Sequence, residues 1–582
     1  MYDLLIRNGK LVDGSGAPAR MADVAVKNGL IVAVDAAGSL GGSAARVVEA
    51  DGLLVTPGFV DIHTHFDAQA TWDPYFTPSS WHGVTSVVMG NCGVGFAPAA
   101  PDKHDWLIGL MEGVEDIPGA AMHEGIRWEW ESFPQFLDAL ERAPHAIDFG
   151  TQVPHGPLRA YVMGERGAKN ELANAADIAQ MASMVRDGLK AGALGFSTSR
   201  TLLHKAIDGE FVPGTFAGLD EMFGIGRAMA EVGHGVFQIA AEHTQMAKEF
   251  QWMRALAQET GRTVSFSLSQ TDMAPELWKT LVELLDGAAA EGLDIVGQVA
   301  GRAIGVMMGW QATAHPFATY PSWQTIKDLA WPERLAALRD PSFRARMLEE
   351  TPLDMGFFAS FITRSFDKMY VRGEHETFDY EPTPDRTVAA IAKASGRRPQ
   401  EVAYDALMQR DGLAMMYFPL FNYANRSLEH LHALHSHPRT RMGLSDAGAH
   451  CGAVCDGGMP TFMLTHWTRD RSRGPRLSLE HIVRRQTSET ARTFGLHDRG
   501  LVAPGYRADL NVIDYERLRF LEPRMAFDLP AGGRRLVQDA EGYVATFVAG
   551  TAIIEHGQAT GAMPGKLIRG PQAAPARAAT SA

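Results

Sequence analysis

Cysteine is the scarcest reactive residue in this chain: Cys92, Cys451 and Cys455 are all that 582 residues contain. Three thiols cannot staple a chain of this length, so a disulfide scaffold is excluded. Long apolar runs are missing too, and none approaches the ~18–20 residues that a bilayer-spanning helix needs. The opening MYDLLIRNGKLVDG lacks the charged, apolar and small-residue layout of a secretory signal. A cytoplasmic location with no membrane contact is therefore expected. Blocks of positive charge are also absent, because the net charge is −14 and the two signs are interspersed. No nucleic-acid footprint is present. With 46% hydrophobic and 21% charged residues there is ample material for a core, and disordered and collagen-like classes are excluded.

What is there divides into two patterns. The first 55 residues read as short strands between Gly-containing turns: DLLIRNGKLVDG, ADVAVKNGLIVAVD and RVVEADGLLVTPG. The pattern returns near the end in ADLNVIDYE and GYVATFVAGTAIIEHGQATG. Residues 1–56 and 497–570 are thus expected to form one small β-sandwich domain. Between them, residues 57–496 alternate apolar runs with helical periodicity, the signature of βα units and a parallel sheet. Eight strands are predicted, at 58–65, 85–93, 146–156, 193–199, 235–243, 263–270, 294–301 and 441–450. The fold class is α/β, a (β/α)8 TIM-type barrel with a small domain built by both termini.

A long insertion is expected at 302–440, rich in aromatics (Trp310, Phe317, Tyr320, Trp323, Phe357, Phe358, Phe361). It reads equally as a lid or substrate wall and as a packed embellishment. The Ala/Pro-rich stretch 571–582 reads as a disordered tail.

His63 and His65 end the first predicted strand, and period two puts both imidazoles on one face. In a barrel that face points to the axis, at the end where active sites are built. Neutral imidazole is a ligand for zinc-like ions. Cys92 ends the second strand in VVMGNCGVG and reads as a third ligand, against the plain alternative of a buried apolar residue. Asp446 ends the eighth strand, which neighbours the first in a barrel. Its carboxylate can therefore reach the same ion and handle a proton. His155, closing the third strand, reads equally as a residue that orients a substrate carbonyl and as a structural histidine. His450 follows Asp446 on the loop and is expected to line the site. Cys451 and Cys455 lack the second pair a structural zinc needs, and Met307–Met308 and Met415–Met416 read as core filler.

The motifs VTPGFVDIHTHFD, GLSDAGAH and TSETARTFGLHDRGLVAPGYRADLNVID resemble the amidohydrolase superfamily. GNCGVGFAP, GALGFST and DLPAGGRRLVQDAEGY resemble its D-aminoacylase branch, the N-acyl-D-amino-acid deacylases. The resemblance implies a hydrolase of a linear amide bond, with zinc held by residues matching His63, His65, Cys92 and Asp446. It implies Asp446 as general base toward water and acid toward the departing amine.

This chain departs from the branch where a second metal would take two more histidines. Direct register puts Ala240 and Leu268 there, with His243 three residues late on the fifth strand. One zinc per chain is the expectation, with His243 a candidate beside it. Gln270 and Gln298 stand where the branch holds substrate with a lysine and a tyrosine, and Arg302 is the remaining candidate for a carboxylate contact, against the plainer reading of a surface arginine that begins the insertion. A small molecule is the expected partner, less acidic or larger than a plain N-acyl amino acid. A homo-oligomer is compatible with the chain, and no feature fixes its symmetry. The alternatives are hydrolysis of a cyclic amide, a carbamate or another acyl bond, or a metal-poor barrel kept as a binding scaffold.

Overall fold

Runs of β-branched and aromatic residues closed by Gly, Asp or Ser become the strands of a parallel sheet. The computed structural model describes residues 1–373 and 378–576. Its central strands are Phe59–Asp61, Val84–Met89, Asp148–Thr151 (continued by Val153–Pro154), Gly195–Ser199, Val236–Ala240, Thr263–Ser267, Ile295–Val299 and Thr440–Met442. Neighbours pair in parallel from the first to the third and from Val153–Pro154 to the eighth. Beyond the formal strands, Thr64 pairs with Ala447, and His65 N–H donates to the Ala447 carbonyl at 2.8 Å. The architecture is a TIM-type α/β barrel with an additional domain.

Most of these strands are buried along their length, as parallel strands covered on both faces must be. The helices between them obey local rules. Ala175–Ala191 opens on Asn174 with a reciprocal capping box to Asp177. Leu219–Val232 and Met246–Thr260 each stop at a glycine in left-handed conformation, Gly233 and Gly261.

The eighth strand is shorter than its sequence pattern. It ends at Met442, because Leu444, Asp446 and His450 turn to φ of 55°, 45° and 50°. The first ends at Asp61, two residues before His63. Both metal-directed motifs therefore lie on irregular backbone just past the strand ends.

The two termini meet in nine strands, from Tyr2–Leu11 to Gln558–Ala559. Two sheets are the expectation for a sandwich; here the pairing runs without a break through a single sheet. Leu4, Ile6, Val24, Val55, Val512 and Phe547, spread across that sheet, share one apolar core. A long hairpin, Arg519–Leu529 with Gly533–Glu541, leaves this domain. It reaches the barrel, where Leu536 N–H donates to the Cys451 carbonyl at 2.5 Å.

The segment after the seventh strand opens and closes on an antiparallel ribbon, Ile304–Met308 with Met416–Phe421. Between them its helices enclose a separate core in which Trp310 stacks on Phe317 and Trp323. Phe361 packs edge-on against Phe418, while the side chains of Phe357 and Phe358 lie outside the described residues. This is a packed subdomain seated at the strand-exit end, where Met307 N–H donates to the Ala453 carbonyl at 2.8 Å.

Residues 571–576 do not behave as the expected tail. Gln572 bridges Leu496 and donates to the Gly495 carbonyl at 2.9 Å, because the Gly495 turn leaves that acceptor open. Residues 577–582 lie outside the described residues. No helix among the described residues is long and apolar enough to cross a membrane.

Candidate metal centre

Four side chains from three strand ends converge. One ligand atom each of His63, His65 and Cys92 lies within 4.8 Å of the other two. Asp446 stands beside these three: its Oδ1 is 3.2 Å from His63 Nε2 and 3.6 Å from His65 Nε2. Cys92 Sγ is 3.3 Å from His63 Nε2. Donors on a tetrahedral ion bonded at ~2.0–2.3 Å stand about 3.3–3.7 Å apart, so the arrangement fits one small cation. Two of the four sit on strained backbone, Cys92 at φ 54° and Asp446 at φ 45°. Such conformations cost about 1–3 kcal/mol each and persist where surroundings enforce them.

The enforcement is visible in hydrogen bonds. Cys92 N–H donates to Gln238 Oε1 at 2.9 Å, and Asn91 Nδ2 donates to the Thr64 and Val88 carbonyls. Gly93, at φ +71°, leaves no space for a side chain, since a Cβ would stand 2.7 Å from Ser199 N. That close approach is what carries Cys92 inward. On the other side, Asp446 N–H donates to the His63 carbonyl at 3.2 Å, and Ser445 Oγ reaches Asp61 Oδ2 at 2.5 Å.

Each histidine is oriented through its other nitrogen. His63 Nδ1 is 2.6 Å from Gln298 Oε1, and Gln298 Nε2 donates to Ser265 Oγ at 2.9 Å. Only an Nδ1–H tautomer satisfies that carbonyl oxygen, which frees Nε2 for a cation. His65 Nδ1 lies 3.2 Å from Glu115 Oε1, an attraction of charge rather than a straight hydrogen bond. Glu115 ends the helix His104–Glu115 and is fully buried.

The electrostatics suit a missing positive charge. Burial pushes the Cys92 thiol up to about 11, despite His65 beside it. Burial pushes the His63 imidazole down to about 4, so it is neutral and able to ligate. For Asp446, burial is outweighed by His65 and His63, which hold the carboxyl well below its usual range. Asp61 and Asp67 beneath the site are raised by burial to about 6 and about 7.

The remaining sequence-predicted residues separate into near and far. His450 is at the rim, its Nε2 3.7 Å from Glu115 Oε2. His243 lies in the turn His243–Gln245 after the fifth strand, its ring against Phe421; it does not join the donor group. His155 has both ring nitrogens engaged, by Thr198 Oγ1 at 2.8 Å and Glu221 Oε1 at 2.7 Å. Neither is left for a substrate carbonyl. Arg302 is neither on the surface nor free for a carboxylate. It is fully buried, ion-paired with Asp456 at 2.8 Å, and lies over the Tyr380 ring. Ala240 and Leu268 are buried at the ends of the fifth and sixth strands and offer no donor. Cys451 and Cys455 are separate buried thiols, both pushed by burial up to about 12.

Glu115 and His204 escape a reading of spacing. Glu115 lies fifty residues from His65, in a helix with no motif of its own. His204 follows the fourth strand, with Nδ1 2.9 Å from Ser199 Oγ, and burial pushes it down to about 3. His450, His65, Asp446 and His243 all act on it electrostatically, so it stands within reach of the site's charges.

The donor set, its strand-exit position and its buried tethers fit a metal-dependent enzyme, and relatives make it a hydrolase acting on C–N bonds other than peptide bonds. The chain belongs to the amidohydrolase family, whose model matches residues 46–554. Within it, the chain falls in the D-aminoacylase branch. It is 28% identical to an uncharacterised protein of Mycobacterium tuberculosis, covering 96% of this chain and 92% of that one. It is 26% identical to N-acyl-D-aspartate deacylase of Alcaligenes xylosoxydans xylosoxydans, covering 97% and 95%. Among solved structures, N-acyl-D-glutamate deacylase from Bordetella bronchiseptica, complexed with zinc and a phosphonate inhibitor, superposes with a TM-score of 0.64. That match has 21% identity and covers 98% of this chain and 99% of the other.

Proposed function

We propose that this chain hydrolyses the linear amide bond of an N-acyl-D-amino-acid-like compound, using one zinc ion per chain held by His63, His65, Cys92 and Asp446. The observation that carries the reading is the meeting of His63, His65 and Cys92 within 4.8 Å of one another, with Asp446 Oδ1 at 3.2 Å and 3.6 Å from the two imidazoles, which suits one small ion. We also propose that the Thr64–Ala447 pairing closes the eight strands into a complete barrel. The zinc found in a deacylase of the same fold, and the D-amino-acid substrates in the names of two relatives, support the choice of metal and substrate class.

Bound zinc brings the pKa of water from 15.7 toward ~7 and polarises a carbonyl. Asp446 supplies the proton handling. Its carboxylate is ionised at neutral pH, so it accepts a proton from the attacking water and returns it to the leaving nitrogen. Gln298 and Glu115 keep the two imidazoles aimed. Arg302, committed to Asp456, does not offer its guanidinium to a substrate carboxylate, which favours a less acidic or larger substrate.

The test pairs metal analysis with a substrate screen. About one zinc per chain, with turnover of N-acyl-D-amino acids of neutral side chain above that of their L-isomers, is the expected result. Two tightly held ions, or turnover confined to cyclic amides, would overturn it.

A further inference from the structure

At the opposite face of the barrel from the metal donors lies a cavity of about 420 Å³. Its base is formed where the strands Thr263–Ser267, Ile295–Val299 and Thr440–Met442 begin. The helices Leu479–Arg485 and Ser488–Thr493 form a wall. Four guanidiniums line it, Arg441, Arg484, Arg485 and Arg492, against two carboxylates, Asp294 and Glu489.

Both carboxylates are already taken. Glu489 is shared by Arg484 at 2.9 Å and Arg485 at 3.0 Å, and Asp294 pairs with Arg439 outside the cavity at 3.0 Å. Arg441 has no carboxylate partner among the described residues; it donates to Thr493 Oγ1 and to the Pro438 and Thr440 carbonyls. The Arg492 side chain has no hydrogen-bond or ion-pair partner among the described residues. Arg485 is buried, and its Nε is without a partner. Burial, with Arg441 and Arg484 nearby, pushes that guanidinium down to about 10 even though Glu489 pulls the other way. Like charges crowded in a partly dry space repel unless an anion joins them.

We propose that this cavity binds the phosphate group of a small phosphate monoester, at a site separate from the metal centre. The charge fits, because two unmatched guanidiniums meet a group of about two negative charges at neutral pH. The shape fits, because planar guanidinium forks grip tetrahedral oxyanions through paired N–H donors. The size fits a small metabolite, since ligand cavities run from about 300 to 1,000 Å³. The inference is independent of the reaction proposed above.

Titration calorimetry of the metal-loaded protein, with inorganic phosphate and with ribose 5-phosphate at constant ionic strength, tests it. Saturable binding at about 1 mM or tighter is expected. In Arg492→Gln it weakens about tenfold, the loss expected for charge-assisted hydrogen bonds, while metal content and amide turnover stay unchanged. Arg492 is exposed and unpartnered, so that variant keeps its fold. Tighter binding of ribose 5-phosphate identifies an organic monoester as the ligand, and equal binding identifies free phosphate. Absence of saturable binding, equal affinity in Arg492→Gln, or the same heats from chloride would each overturn the proposal.

Discussion

Two buried clusters of ionisable groups in this molecule look alike in composition and differ in balance. At the seam between the insertion and the barrel, Glu381 accepts from Arg471 Nε and Nη2, both at 3.1 Å, from His466 at 3.1 Å and from Leu428 N–H at 3.0 Å. Every charge there has its opposite within reach. Around His63 and His65, the carboxylates of Asp446, Glu115, Asp61 and Asp67 make no ion pair with any lysine or arginine among the described residues. A self-neutralised cluster holds a fold together, whereas a cluster short of positive charge is built for something that arrives.

The comparison breaks most sharply at Asp446. Asp446→Asn should lower kcat about 10²–10⁴-fold, or about 3–5 kcal/mol of barrier, without lowering the melting temperature. Kinetics on an N-acyl-D-amino acid beside a thermal melt decide it, and a kcat within a factor of a few of the parent would remove Asp446 from proton transfer. Glu381→Gln should do the reverse. Stranding the buried Arg471 is expected to cost about 3–5 kcal/mol in urea unfolding while turnover at low temperature persists. Lost turnover at full stability would make that cluster functional after all.

Acid should separate the clusters next. Burial raises the Glu381 carboxyl, but His466 and Arg471 outweigh it and bring it from 4.5 to about 2. Its stabilisation is thus present above about pH 4.5 and lost as pH falls toward 2, amounting to about 3 kcal/mol. The stability gap between parent and Glu381→Gln should narrow across that window, and a gap independent of pH would contradict the assignment. The smallest effect is expected at Gln298→Leu, which leaves all four donors but frees His63 Nδ1. Metal affinity should fall about 10–100-fold by competition with a chelator, with kcat at saturating metal less affected. Unchanged affinity would mean that Gln298 does not set the imidazole.

The same contrast explains what the sequence disclosed. The meeting of His63 and His65 was legible because period two needs only neighbouring residues, and that of Cys92 and Asp446 because each follows a predicted strand toward the same end of the barrel. All eight barrel strands overlap the segments read from the alternation of short apolar stretches with helical periodicity, with differences confined to their ends. Arg302 and His155 stayed open in the sequence, between a substrate contact and a structural place, for one reason. A polar residue at a strand exit looks the same in sequence whether it faces substrate or a buried acid, and Asp456 and Glu221 lie far along the chain.

The sequence by itself determined the βα alternation, the β-rich pairing of the two termini and the choice of His63, His65, Cys92 and Asp446 as residues that meet, because these rest on local periodicity and residue chemistry. Tertiary structure alone decided which partners occupy those side chains. Gln298 and Glu115 aim the histidines, Gln238 and Gly93 carry Cys92 inward, Asp456 claims Arg302, and four arginines from two helices and a strand face one cavity at the far end. These outcomes depend on contacts between residues tens to hundreds of positions apart, and only the packed barrel fixes such distances.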